Sequence, residues 1–290
     1  MAKRVWTIRE ALAWTVEYLG RKGAENPRLS AEWLLSAATG LSRVELYAYH
    51  DRPLSAEERG AFREGIERRA AGEPLQYVTG EMPFRHLVLK VRPGVFIPRP
   101  ETELLVDEAL SAVRAIAQPT VVDLCAGSGA VAVSVGYERA EALVYATEIA
   151  PLAADVAAEN AERVGVGERV TILRGDLFAP LPRDLLGRVD VVVSNPPYIP
   201  TGDLPSLPAE VAGFEPALAL DGGPDGLDVA RRIAAEAPRW LADGGALAME
   251  LDETRVRAMA EELLEANWHA VRVAADLTGA DRIVFGRKPS

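Results

Sequence analysis

The succession of local signals predicts an α/β protein in which a small helical bundle precedes a mainly parallel, seven-stranded sheet with an antiparallel edge. Three observations carry that expectation. Residues 7 to about 72 repeat helix starts and stops without a strand pattern. From Pro119 onward short apolar runs alternate with alanine-rich helical stretches. Two polar loops, 123–129 and 195–198, follow apolar runs, and open α/β sheets bind ligands at such strand ends.

The helical region is read from its punctuation. Thr7-Ile-Arg-Glu10, Ser42-Arg-Val-Glu45 and Ser55-Ala-Glu-Glu58 match the capping box, in which paired side chains satisfy orphan amides at a helix start. Asn26-Pro27 offers another start, with proline at the first helical position. Gly23, Gly40 and Gly72 stand where helices should end. Ile8, Leu12, Val16 and Leu19 recur at helical spacing, and Trp14, Trp33, Leu34 and Leu35 are expected to fill the shared core. No catalytic constellation is visible here, so the bundle is expected to bind or position something.

Pro74 and the stretch 80–83 break the helical pattern. Residues 84–91 have strand character, and Arg92-Pro-Gly94 is expected to turn them back into Val95-Phe-Ile97 as a hairpin. Pro98-Arg-Pro100 reads as a rigid connector, with a helix from Glu101 to about Ala117. Strands are then expected at 121–124, 143–147, 170–173, 189–194 and 245–251, and 270–274 should pair with 281–285 at an antiparallel edge. The domain organisation expected is a helical recognition domain over 1–74, a hairpin linker over 75–98 and the sheet domain over 99–290.

Composition narrows the function. The chain has 290 residues, with 32 basic and 43 acidic side chains and a formal charge of −11. That balance argues against broad, sequence-independent nucleic-acid binding without excluding a local basic patch, for which Arg68, Arg69, Arg85, Lys90, Arg92 and Arg99 are the candidates, with surface solvation the expected role of most of them. No long uncharged apolar run suggests a membrane span, and Met1 to Trp6 lack the apolar core of a signal peptide. One cysteine and three scattered histidines give neither a disulfide framework nor a zinc constellation, so no metal is expected. A cytoplasmic monomer is the expectation.

The chemistry is carried by the strand ends. In Asp190-Val-Val-Val-Ser-Asn195-Pro196-Pro197-Tyr198 two prolines stop a buried strand and stiffen a loop that presents an amide, carbonyls and an aromatic ring. In Asp123-Leu-Cys125-Ala126-Gly127-Ser128-Gly129 the glycines let backbone approach a ligand at a helix start. The third glycine of a dinucleotide fingerprint is missing, because the residue after Ala130-Val131 is Ala132, which favours a nucleoside pocket over a pyrophosphate cradle. Glu148, followed by Ile149, lies at the separation where an acid meets ribose hydroxyls. Asp176 holds the analogous place after the third strand and could accept from an adenine amino group, with Leu177 packing on the ring. Cys125 has no histidine in its motif to activate it as a nucleophile.

Together, Asp-Leu-x-x-Gly-x-Gly, the acid after the second strand, Gly175-Asp176 and Asn-Pro-Pro-Tyr resemble the class I, Rossmann-like methyltransferases that use S-adenosyl-L-methionine (AdoMet). With Phe96-Ile-Pro-Arg-Pro-Glu-Thr-Glu103 and the stretch 214–226, nearly the whole chain resembles the release-factor glutamine methyltransferases, the PrmC/HemK family. Cys125-Ala126 stand where that family usually has small residues and glycine, and Leu177 where it often has a larger side chain.

The resemblance implies AdoMet as methyl donor, S-adenosyl-L-homocysteine as product, and the glutamine of the Gly-Gly-Gln motif in peptide chain release factors 1 and 2 as acceptor, a modification that supports translation termination. It implies that Asn195 oxygen and the Pro196 carbonyl accept the two amide protons while Tyr198 packs on the flat amide. Arg99 and Glu101 would help close the substrate channel, and 214–216 would fold over it or buttress the loop. Ribosomal-protein glutamine methylation and N6-adenine methylation of nucleic acid are the alternatives. A nicotinamide-dependent dehydrogenase fits least, lacking the third glycine and an acid–base histidine.

Overall fold

The computed structural model describes residues 5–289, so the leader reading at Met1 to Arg4 lies outside the described residues. The chain divides into two compact units, one running to Glu81 and taking in Pro208–Phe214, the other comprising Met82–Leu207 and the remainder from Glu215.

The first unit holds α1 (Ile8–Arg21), α2 (Pro27–Thr39), α3 (Arg43–Ala48), α4 (Ala56–Ala70) and α5 (Leu75–Thr79). All three capping boxes form: the hydroxyls of Thr7, Ser42 and Ser55 accept from the amides of Glu10, Glu45 and Glu58, whose carboxylates bond back. Pro27 opens α2, and Gly40 ends it in the left-handed region. Ile8, Leu19, Leu34, Leu35, Leu46, Phe62 and Ile66 make the core. The buried line of α1 is Ile8, Ala11, Thr15 and Leu19, so the expected stripe is rotated and Leu12 and Val16 sit at its margin. Trp14 is not in the core. It is 44% exposed and stacks on Tyr18 at 5.0 Å, because six residues past Ile8 it lies roughly 120° round the helix. Trp33 is half-buried. Pro74 does not end helical structure; it caps α5.

The hairpin differs from expectation. Strands β1 (Glu81–Phe84) and β2 (Leu87–Lys90) turn at Arg85-His86, and 95–97 form no strand. Arg85 takes a left-handed φ of 52°, held by its N–H on Glu103 Oε1 (2.9 Å) and its guanidinium on Glu138 (2.6 Å), long-range ties that no local pattern announces. A single 3-10 turn, Pro100–Thr102, leads into α6 (Glu103–Ala112), which ends short of Ala117.

The large sheet follows the expected alternation: β3 (Thr120–Leu124), α7 (Ala130–Glu138), β4 (Leu143–Glu148), α8 (Pro151–Val164), β5 (Val170–Arg174) and β6 (Val189–Ser194). After α9 (Ala209–Ala212), which belongs to the first unit, come α10 (Asp228–Trp240), β7 (Leu241–Glu250), α11 (Val256–Glu265), β8 (His269–Ala275) and β9 (Asp281–Arg287). The strand order is β5-β4-β3-β6-β7-β9-β8, parallel except for β7–β9 and β9–β8. β7 begins before the expected Gly245, with a register irregularity opposite Val189. Val121, Val191, Val193, Ala246 and Ala248 bury one face of the sheet; Val122, Leu124, Val192, Leu247 and Met249 bury the other. Burial on both faces explains why these strands read as continuous apolar runs.

Strands β4 and β5 lie on one side of β3 and the later strands on the other, so the order reverses between β3 and β6. Ligand crevices form at such a switch point. Truncating the fully buried Leu247 to alanine should cost about 2–5 kcal/mol in urea unfolding, whereas Leu143→Ala, at a side chain 50% exposed, should stay within about 0.5 kcal/mol.

Candidate active site

Register brings the predicted residues to one rim. Leu124 of β3 lies beside Thr147 of β4 and Ser194 of β6, and Ser194 lies beside Met249 of β7. The next residues along, Cys125, Glu148, Asn195 and Glu250, therefore leave the same edge. Ser194 Oγ fastens β6 to β3 by donating to the Leu124 carbonyl at 2.7 Å.

The loop after β3 is tightly wound, with Cys125, Gly127 and Gly129 at φ 59°, 57° and 81°. Gly129 caps α7 in the left-handed region, and a Cβ there would meet that of Ala157 at 3.0 Å. Asp123 Oδ2 accepts from the Ala132 amide (3.0 Å). Glu148 accepts from Gly127 N–H and Ala150 N–H, both at 2.8 Å, so it braces the loop from the neighbouring strand. Asn160 of α8, which sequence reasoning did not single out, donates to the Ser128 carbonyl (2.9 Å) and also bonds both backbone groups of Lys90. Ala126 is half-buried and Ile149 is exposed.

Burial pushes the Asp123 carboxyl up to about 8, with the charge of Glu148 adding to the rise against the Ala132 amide. The Cys125 thiol is pushed up to about 12 by burial and by Glu148, which leaves no thiolate nucleophile at neutral pH. Leu177 is buried at φ 47°, while Asp176 is exposed and ion-paired with Arg232 at 2.5 Å. The Ser128 and Thr147 hydroxyls are buried without partners, and open space lies where a side chain at Gly127 would stand. Unpaired hydroxyls and an open backbone cradle beside an acid suit a polar nucleoside ligand.

Across the switch point, Asn195 Nδ2 donates to Thr102 Oγ1 at 3.1 Å. The segment after it is pinned from behind: Ile199 N–H donates to the Leu220 carbonyl (2.9 Å) and Gly222 N–H to the Ile199 carbonyl (2.8 Å). A Cβ on Gly222 would come within 2.7 Å of the Pro197 carbonyl oxygen, so only glycine lets this strap lie against the loop. Pro196 is buried, Pro197 and Tyr198 half-buried, and Tyr198 packs on the core while burial raises its phenol further. Arg99 is engaged within the unit, ion-paired with the buried Glu215 and lying 4.7 Å over Phe96; Glu101 is half-buried on the adjoining turn. Sequence reasoning missed Thr102, Glu215 and Glu250 as working groups. The first two lay inside motifs already noticed, and Glu250 was signalled only by an acid closing a buried apolar strand.

A doubly wound sheet with a glycine cradle, an acid on the next strand and Asn-Pro-Pro-Tyr at the switch point defines an AdoMet-dependent methyltransferase. Comparison bears this out: a family model described as "PrmC N-terminal domain" matches residues 10–80 and one described as "Methyltransferase small domain" matches 87–204. The release factor glutamine methyltransferase of Geobacter sulfurreducens is 46% identical, covering 98% of this chain and 97% of the relative. That of Moorella thermoacetica is 45% identical, covering 95% and 96%. The chain belongs to the release factor glutamine methyltransferase family. Among solved structures, a methyltransferase from Pyrococcus furiosus superposes with a TM-score of 0.50 at 17% identity, covering 70% of this chain and 89% of that one, a likeness of fold.

Asp123 offers a test of the site's electrostatics. Its folded value of about 8 stands above an unfolded value of about 3.9, so the folded protein holds the proton more tightly. The associated stability is complete below about pH 4 and is lost as pH rises through about 8. Urea midpoints of ligand-free Asp123→Asn should therefore decline less steeply over that interval than those of the wild type. Equal slopes would mean that Asp123 is ionised in the folded protein.

Proposed function

We propose that this chain transfers a methyl group from AdoMet to the side-chain amide nitrogen, N5, of the glutamine in the Gly-Gly-Gln motif of peptide chain release factors 1 and 2. The observation that carries the reading of the site is the Asn195 amide, whose nitrogen is bound inward to Thr102, so its oxygen is the end available to a substrate.

The cradle of Asp123, Cys125, Ala126, Gly127, Ser128 and Gly129 would hold AdoMet, with Glu148 to take the ribose hydroxyls and Ile149, Asp176 and Leu177 to border the adenine. The fit rests on the unpartnered Ser128 hydroxyl and the open face of Gly127. AdoMet, when bound, supplies an electrophilic methyl on a sulfonium. An amide nitrogen is a weak nucleophile because its lone pair is delocalised into the carbonyl. Asn195 Oδ1 and the Pro196 carbonyl accept its two protons and hold it in line, and Pro197 and Tyr198 pack against the amide plane. Transfer would form the nitrogen–carbon bond as the sulfur–carbon bond breaks, with one amide proton passing to solvent and S-adenosyl-L-homocysteine as the product. Water exclusion helps, since charge is lost from the donor during transfer. Arg99, paired with Glu215, shapes the channel wall together with Glu101.

The partner is a release factor and not a nucleic acid. In support, the six basic residues that could have lined a groove are each ion-paired: Arg68 with Glu73, Arg69 with Glu210, Arg85 with Glu138, Lys90 and Arg92 with Glu159, and Arg99 with Glu215. Among the described residues no helix is long and apolar enough to cross a membrane. A monomer acting in the cytoplasm, where release factors work, completes the reading.

Mass spectrometry of a purified release factor, digested after incubation with the protein and AdoMet, should find one added methyl on the Gly-Gly-Gln peptide. Asn195→Ala should lower turnover by about 100-fold or more while AdoMet still binds. An unmodified peptide with AdoMet binding intact would overturn the substrate assignment.

A further inference from the structure

Glu250 closes β7, the strand beside the one that delivers Asn195. Its side chain is 2% exposed, and Oε2 has no hydrogen-bond partner. A buried carboxylate oxygen left without a donor is uncommon and costly, so its retention calls for a reason. Register sets Glu250 beside Asn195 at the ends of β7 and β6, Asn195 Nδ2 donates to Thr102 Oγ1 at 3.1 Å, and the Thr102 and Asn195 side chains both favour the ionised form of Glu250. Three side chains from three segments thus gather behind the loop of Asn195.

The donor and acceptor chemistry of this group has a direction. An ionised carboxylate only accepts. Thr102 therefore turns its single O–H to Glu250 and offers its lone pairs to Asn195. With Nδ2 of Asn195 bound to Thr102 and an anion on the neighbouring strand end to attract its second proton, Oδ1 is left for an outside donor. Asparagine alone could present either end of its amide; a buried anion behind it removes the choice.

We propose that Glu250, acting with Thr102, is the positioning residue that sets the polarity of Asn195, so that Oδ1 and not Nδ2 meets the N–H of the substrate amide. The proposal rests on the role of Asn195 given above and deepens it into a selection rule: the site takes a primary carboxamide and rejects a carboxylate, which would face only acceptors and a buried negative charge.

Protonation reverses the logic, because a neutral Glu250 can donate to Thr102 and no longer imposes a direction. Burial raises its pKa to about 7; the Thr102 and Asn195 hydrogen bonds and Arg282 of β9 oppose the rise, and Glu101 on the 3-10 turn adds to it. The charges of Glu250 and Asp252 add to the rise that burial gives the Tyr198 phenol. Polarity is thus imposed above about pH 7 and released below it.

Two measurements test this. With a release factor as substrate, wild-type kcat/KM should fall on the acid side of about pH 7. Glu250→Gln, neutral at every pH and able to donate as well as accept, should show the lowered acid-side kcat/KM throughout and lose the dependence on pH near 7, whereas Glu250→Ala should lose about 100-fold in kcat. The second readout needs no substrate. The chain has four asparagines, Asn26, Asn160, Asn195 and Asn267, so 15N-asparagine labelling gives a short set of side-chain amide signals, that of Asn195 being the one lost in Asn195→Ala. The Asn195 pair should shift with a midpoint near pH 7 in the wild type and hold still in Glu250→Gln. A pair that is immobile in the wild type, or moves equally in Glu250→Gln, overturns the proposal whatever the activity. If the pair titrates as expected and release factors stay unmethylated, the relay stands and the substrate assignment falls.

Discussion

The parallel pairing of β3 with β6 is the constraint on which the rest depends. It places Leu124 beside Ser194, so the loops that follow begin side by side at the point where the strand order reverses. A slip of one residue would turn Val121 and Val122 to the wrong faces and send Asn195 away from the cradle. The two apolar faces prevent this, since Val191 and Val193 belong to one core cluster and Val192 to the other. The chemistry of the site is therefore guarded by packing some distance from it, and the Ser194 hydroxyl adds a local lock at the strand ends.

Burial keeps ionisable groups at the rim in their neutral forms. Asp123 is pushed up by desolvation and by Glu148, and the same carboxylate raises Cys125. Glu148 would be a poor choice for a pocket meant for an anion. It answers the Gly127 and Ala150 amides, and its charge makes the cradle more receptive to a cation than to a phosphate. That preference agrees with the missing third glycine, and together they separate this cradle from a dinucleotide site.

The strand and helix periods made the sheet legible, because each buried strand reads as an apolar run and each bundle helix carries its own cap. Thr7, Ser42 and Ser55 needed nothing beyond their own helix, so local sequence was enough to place them. Trp14 was misplaced because hydrophobicity was weighed above angular position on the helix. The hairpin turn was misplaced because Arg85 adopts a left-handed conformation sustained by Glu103 and Glu138, residues outside its own strand pair. The loops of the site were visible as motifs, while the roles of Asn160, Glu215 and Glu250 were not. Asn160 and Glu215 each bond to a partner far away in sequence, and a single chain offers no local period for such partners.

Those distant ties share a purpose that the fold alone does not supply. Asn160 joins β2 to the glycine loop, Glu215 joins the strap to Arg99, and Gly222 permits the strap to lie on the Asn-Pro-Pro-Tyr segment. Proline already limits that segment's torsions, yet a stiff loop can still rock as a body about its strand end. Hydrogen bonds from Ile199 and Gly222 and close contact behind Pro197 oppose such rocking. Methyl transfer to a weak nucleophile depends on alignment of nitrogen, carbon and sulfur more than on any acid or base. On the reaction proposed above, a site with no nucleophile of its own has to be built from rigid acceptors, and the polar ties around this loop supply rigidity at a sheet rim where its residues are only partly buried.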